Sequence, residues 1–157
     1  MKLGVYVDVQ NVYYTCLQSY KRHFDYNKFW RAVTADCTVV QAHAYAIDRG
    51  DEKQRQFQNI LRAIGFKVQL KPYIQRRDGS TKGDWDVGIA VDIMEHARDL
   101  DRIVLVSGDG DFSILMNRVK KLFQCETQVY GVPALTSDEL KETVDKFMLI
   151  GQDLLIR

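Results

Sequence analysis

The 157-residue chain has no apolar run approaching the roughly 20 residues that a bilayer-spanning helix needs, so no transmembrane span is expected. Its opening, MKLGVYVDVQN, meets an aspartate at position 8 and lacks the apolar stretch and small-residue cleavage site of a signal peptide. Cysteines are few and odd in number. Cys16, Cys37 and Cys125 show no CxxC spacing and each stands among apolar residues, a pattern that fits reduced buried thiols in a cytoplasmic protein and disfavours zinc. An excess of one charge is also missing, with 22 basic against 21 acidic residues and a net charge of +1. A polyanionic partner would have to be recognised by a local arrangement, not by an overall basic surface. No GxGxxG follows a strand and no GxxxxGK(S/T) occurs, which leaves dinucleotide and P-loop chemistry without support. His23, His43 and His96 pair with no serine or cysteine in a nucleophile motif.

What is present is enough apolar residue, 46%, to bury a sizeable core in one domain spanning 1–157. Short β-branched runs alternate with longer helical patterns. LGVYV (3–7), TVVQAHAYAI (38–47), FKVQLKPYI (66–74), IVLV (103–106) and CETQVYGV (125–132) read as strands. Helical patterns follow at 11–20, after Asp25, at EKQRQFQNILRAIG, at WDVGIAVDIMEHARDL, at FSILMNRVKKL and at DELKETVDKFM, while the tail IGQDLLIR is ambiguous. Strand–helix alternation with short connections predicts an α/β fold with an open, mainly parallel sheet and helices on both faces. The apolar residues of the tail could pair with a second copy, giving a homodimer. VYY (12–14) and FW (29–30) read as core rather than as platforms for stacked bases.

In sheets of this kind ligands bind beyond the carboxyl ends of the strands, at a topological switch point. Asp8 directly follows LGVYV, and Asp109 and Asp111 follow IVLV in the stretch IVLVSGDGDF. If those two strands are central neighbours, three carboxylates arrive at one edge. TKGDWDVGIAVD supplies a further acid. Asp86 opens a helix, Asp84 could simply cap it, and Asp92, six residues beyond Asp86, lies about 240° around the helix at 100° per residue. Asp86 is therefore favoured as the ligand, with Asp92 supporting it or accepting a hydrogen bond from an N–H or hydroxyl. Each acid alone is ordinary turn or cap chemistry. Together they repel strongly without a counter-charge, and hard oxygen ligands select Mg²⁺ or Mn²⁺. Gly108 and Gly110 allow either close backbone approach at Asp109 or positive φ.

VYVDVQNVY (5–13), KGDWDVGIAVDIMEHA (82–97) and VLVSGDGDFSILM (104–116) together resemble the NYN domains, a branch of the PIN-like nuclease superfamily, in its LabA-like bacterial group. The resemblance covers essentially the whole chain, and the third motif is its most specific part. It implies a PIN-like three-layer α/β/α sandwich and a Mg²⁺- or Mn²⁺-dependent ribonuclease site. On this resemblance the metal-holding and catalytic acids fall on Asp8, Asp86, Asp109 and Asp111, with Asn11, Asp92 and Ser107 as supporting residues and Lys82 as a phosphate contact. The segment KPYIQRRDGSTKGD adds Arg76, Arg77 and Tyr73 as candidates for gripping RNA, and Arg49, Lys53 and Arg55 could extend that rim.

Two rivals remain at this stage. One is a non-catalytic RNA-binding or regulatory module on the same fold. The other is a different phosphoryl-transfer enzyme, and it loses ground on two residues. A phosphatase resembling the haloacid dehalogenase group wants an aspartate where Gln10 stands, and a toprim-type nuclease wants a glutamate where Asp8 stands.

Overall fold

A computed structural model of the chain describes residues 1–72 and 84–157 in full, and between them the backbone of 74–75 and 81–82. Six parallel strands form one sheet. They are β1 (Lys2–Asp8), β2 (Thr38–Asp48), β3 (Lys67–Pro72), β6 (Arg102–Val106), β7 (Glu126–Gly131) and β8 (Lys146–Leu149), in the spatial order β3-β2-β1-β6-β7-β8. A separate hairpin pairs β4 (Ile74–Gln75) with β5 (Thr81–Lys82). The helices are α1 (Val9–Tyr20), α2 (Tyr26–Thr34), α3 (Glu52–Ile64), α4 (Asp86–His96), α5 (Ser113–Phe123) and α6 (Asp138–Thr143). None of them is long and apolar enough to cross a membrane.

The runs LGVYV of β1 and IVLV of β6 are continuously apolar because both sheet faces are covered. Leu3, Val5, Val7, Val104 and Val106 point to one face, where they meet Val12 and Cys16 of α1, Phe29 and Val33 of α2 and Leu61 of α3. The alternate residues Tyr6, Tyr45, Ile103 and Leu105 meet Ile89 and Ile93 of α4 and Leu115, Met116 and Val119 of α5 on the other. This is the expected three-layer α/β/α sandwich. Cys16, Cys37 and Cys125 are free thiols, the first and last of them buried.

The chain grows outward from β1 to β2 and β3, then returns through α4 to place β6 on the opposite side of β1. The direction of growth therefore reverses between β1 and β6, and the crevice at their carboxyl ends is the switch point. Val7 pairs with Val106, so Asp8 and Ser107 are the next residues to emerge on either side of it.

One expectation is corrected at the C-terminal side. The helix expected over 138–148 stops at Thr143, and Lys146–Leu149 forms the sixth strand. Val144 turns into the core instead of continuing the helix. Asp145 then accepts hydrogen bonds from the Thr127 N–H at 2.8 Å and the Thr127 hydroxyl at 3.2 Å, with Lys120 Nζ at 3.3 Å. The tail is docked: Ile150 and Leu155 are fully buried, and Leu155 bridges Phe24. These two side chains are spent within the chain, while Ile156 stays exposed.

At Asp145, burial acts to raise the carboxyl pKa, but the Thr127 N–H and Lys120 outweigh it and hold the group below its ordinary range. The stability this contributes is present above the unfolded carboxyl pKa of about 4 and is lost as pH falls through the folded one. Asp145→Ala is expected to lower the free energy of unfolding by about 1–2 kcal/mol at pH 7 in urea titrations, with the deficit shrinking below about pH 4.

Candidate metal centre

Each acid of the site stands where a strand gives way to a helix. Asp8 ends β1 and caps α1, accepting the Asn11 N–H at 3.4 Å. It is 9% exposed, and the Ser107 hydroxyl, arriving from the end of β6, donates to its other oxygen at 3.3 Å. The Ser107 oxygen in turn accepts the Asp109 N–H at 3.2 Å. Asn11 Oδ1 accepts the Gly108 N–H at 3.0 Å, which ties α1 to the loop after β6. Asp109 then caps the single helical turn 110–112 by accepting the Asp111 N–H at 2.9 Å.

The glycines of SGDGD serve close approach and not positive φ. Among the described glycines, positive φ is confined to Gly50 and Gly65. A Cβ on Gly108 would lie 2.6 Å from the Leu135 carbonyl oxygen, and one on Gly110 2.7 Å from Ser137 Oγ.

The third contributor arrives across the sheet. Trp85 donates its indole N–H to the Ala46 carbonyl at 2.9 Å and packs against Tyr45, so the start of α4 is fastened to β2. Asp86 occupies the first turn of α4, and its N–H is accepted by Asp84 at 3.2 Å. Asp8, Asp84, Asp86 and Asp109 line one cleft of about 240 Å³ together with Gln10, Asn11, Tyr14 and Thr15. One carboxylate oxygen each from Asp86, Asp109 and Asp111 also lies within 4.8 Å of the other two. Asp86 and Asp109 belong to both groups.

Such crowding leaves an electrostatic signature. Burial, then the charge of Asp109 and a hydrogen bond shared with it, then Asp84 and Asp8, push the Asp86 carboxyl up to about 7. Burial pushes Asp8 up to about 6. The bonds from Asn11 and Ser107 oppose that rise, and the charges of Asp109 and Asp84 add to it. Ion pairs such as Arg102–Glu126 and Lys120–Asp145 lie elsewhere in the fold. What partly offsets the repulsion is backbone, since α1, the turn at 110–112 and α4 all direct their N-terminal ends at the cleft.

The donor set suits a hard divalent cation. Oxygens on opposite sides of an octahedral Mg²⁺ are separated by about 4.2 Å, so a 4.8 Å spread closes on one ion by small side-chain rotations. Asp86, Asp109 and Asp111 are thus within reach of one ion, and Asp8, braced by Asn11 and Ser107, faces the cleft that Asp86 and Asp109 also line. Asp92 does not join them. Its carboxylate accepts the Tyr45 hydroxyl at 2.8 Å, the role of hydroxyl acceptor, and reaches the acids only through the Tyr45–Trp85 packing. Tyr73, Arg76 and Arg77 lie outside the described residues, as does the side chain of Lys82. Arg49, Lys53 and Arg55 follow β2 at the same sheet edge but are not part of the cleft's described lining.

Sequence reasoning undervalued three residues. Asp84 stands one residue ahead of the cap position Trp85 and accepts the Asp86 N–H, and it also faces the cleft, a dual use that its DxD spacing with Asp86 allowed. Tyr13 and Tyr14 are exposed, 46% and 49%, rather than core. Phe29 is buried as expected, and Trp30 packs on Phe66.

A carboxyl with a raised folded-state pKa favours folding in its protonated form. That stability is complete below about pH 4 and is lost as pH rises through 6 to 7. Metal-free protein kept in a chelator is expected to lose unfolding free energy between about pH 5 and 8 in urea titrations, and Asp86→Asn to reduce that loss. At pH 8, Mn²⁺ is expected to raise the melting temperature of the parent protein by several degrees and that of Asp109→Asn far less; equal shifts would contradict a shared site.

Comparison with known proteins agrees with the geometry. The NYN domain family model matches residues 2–151. The chain is 26% identical to the low amplitude and bright protein LabA of Synechococcus elongatus, over 94% of this chain and 82% of that protein. A crystal structure of a protein of unknown function from Vibrio parahaemolyticus is 57% identical and superposes with a TM-score of 0.95, covering 99% of this chain and 96% of that one. This chain belongs to the NYN domain family, a PIN-like nuclease family.

Proposed function

We propose that this chain is a single-domain, cytoplasmic endoribonuclease that cleaves RNA phosphodiester bonds with Mg²⁺ or Mn²⁺. The observation that carries the reading is the convergence of Asp8, Asp84, Asp86 and Asp109 on one cleft at the β1/β6 switch point, with two of the four carboxyls pushed up toward neutral pH. Nuclease membership of the family and a wholly carboxylate donor set support it.

Asp8, Asp86 and Asp109 would hold the metal. When bound, a divalent ion lowers the pKa of a coordinated water and stabilises charge on the phosphoryl and leaving oxygens. Asp111, exposed where Asp86 and Asp109 are half-buried, would complete the ligand set or orient the attacking water. Asn11 and Ser107 brace the loop that presents Asp109 and engage both Asp8 oxygens, which restrains the acids relative to one another. Attack on phosphorus with departure of the 3′ oxygen leaves 5′-phosphate and 3′-hydroxyl ends. Lys82, four residues ahead of Asp86, and Arg76, Arg77 and Tyr73 are proposed contacts for the RNA backbone and bases.

The test is cleavage of a labelled circular RNA by purified protein with Mn²⁺, since a circle requires an endonuclease. Asp8→Asn and Asp109→Asn are each expected to reduce cleavage by about 100-fold or more with folding retained. Binding without cleavage in the parent protein would favour the regulatory RNA-binding module instead, and activity that persists in both variants would contradict the assigned site.

A further inference from the structure

The face of α1 that leads away from the acidic cleft has a composition unlike the rest of the chain. Between Val9 and Phe24 there is no aspartate or glutamate, although the whole chain carries 21. Gln10, Tyr14, Leu17 and Lys21 are spaced i, i+4, i+7 and i+11, which sets them along one helical stripe about 16 Å long. Gln10 and Tyr14 line the cleft itself, and Lys21, exposed at the far end, is the left-handed cap of the helix. Tyr14 is 49% exposed and Leu17 38%. The Tyr14 ring meets Tyr13 edge-on at 5.3 Å, and Tyr13 stacks on His23 at 5.6 Å with the planes 21° apart. Arg22 is fixed beside them by the carbonyls of Ile156 and Leu155 and by Gln152.

Packing does not account for this arrangement. The core face of α1 is complete with Val9, Val12 and Cys16, and two adjacent tyrosines turned outward leave apolar ring faces in water. A polyanion threading an acidic cleft needs neighbouring surface that neither repels phosphate nor lacks grip. Residues 9–23 supply that surface, with open aromatic rings next to the acids and cationic side chains beyond them. Nucleobases fit exposed tyrosine rings irrespective of sequence, and phosphates fit Lys21 and Arg22.

We propose that α1 is a track for single-stranded RNA, in which Tyr14 stacks on the base next to the cleavage point and the strand continues past Tyr13 toward Lys21. The proposal rests on the ribonuclease reading for its substrate class and deepens it by naming unpaired strand as the substrate form. Duplex would keep its bases from the rings, so unpaired RNA is the form the track takes.

The experiment measures fluorescence anisotropy of a fluorescein-labelled 12-nucleotide oligoadenylate, and of the same oligomer with abasic positions, in an Asp109→Asn background with Mn²⁺. Tyr14→Ala and Tyr14→Leu are each expected to weaken binding about 10-fold, and Tyr14→Phe by less than about 2-fold, because stacking and not apolar area is lost. Abasic positions are expected to weaken binding to the Tyr14-containing protein similarly and to add little once Tyr14 is alanine. Unchanged affinity in Tyr14→Ala, equal affinity of the leucine and phenylalanine variants, or no binding of the oligomer would overturn the proposal. So would a dimer in sedimentation that dissociates on Tyr14→Ala, which would give the face to a second copy. Tyr14-dependent binding by a parent protein that does not cleave would refute the nuclease reading and leave the track standing. Cleavage with binding indifferent to Tyr14 would do the reverse.

Discussion

Like charge gathered at the carboxyl edge of a parallel sheet is the constraint on which the rest of this structure depends. Asp8 and Asp86 are pushed up to about 6 and about 7 because they are partly withdrawn from water and face further carboxylates. A fold selected only for stability would not keep this arrangement, since asparagine would satisfy the cap at Asp8 at lower electrostatic cost and no cap depends on the Asp86 carboxylate. The arrangement is tolerable because the backbone around it is tightly specified. Asn11 accepts from Gly108, Ser107 donates to Asp8 and accepts from Asp109, and Trp85 fastens α4 to β2.

The topology explains why residues so far apart in sequence can share that cleft. β1 and β6 are neighbours only because the chain reverses its direction of growth after β3, and α4 carries it across. The hydrogen-bonded register Val7–Val106 then brings Asp8 and Ser107 out side by side. Three turns or helices begin at this point, and their N-terminal ends face the acids. The same geometry that offsets part of the repulsion also fixes the Asp8 and Asp109 carboxylates by their own capping bonds.

Much of this was legible in the sequence because it depends on local rules. Asp8, Asp109 and Asp111 follow apolar runs at the point where strands must end, and helical rotation separated Asp86 from Asp92, whose carboxylate turns to Tyr45. The neighbourhood of β1 and β6 is not local, and it entered through the motifs. β8 was missed because KFML is short and follows a helical pattern without a break. Its place is set by Val144 entering the core and Asp145 binding Thr127, contacts between residues about 18 positions apart. The exposure of Tyr14 is legible in the helical angle, and that of Tyr13 is not, since Tyr13 lies only about 60° from Cys16. With Val12 and Cys16 fixing the buried face, Tyr14 lies about 200° from Val12 and must point outward. Aromatic character suggested core where the helical angle excluded it.

The central claim is that these aspartates share one divalent cation. The most direct measurement is anomalous X-ray diffraction from crystals of the protein grown or soaked with Mn²⁺. The account predicts a manganese peak within coordination distance of Asp86 and Asp109, with Asp8 or Asp111 bound directly or through water. A well-ordered cleft without such a peak, or manganese bound only at unrelated surface carboxylates, would contradict it.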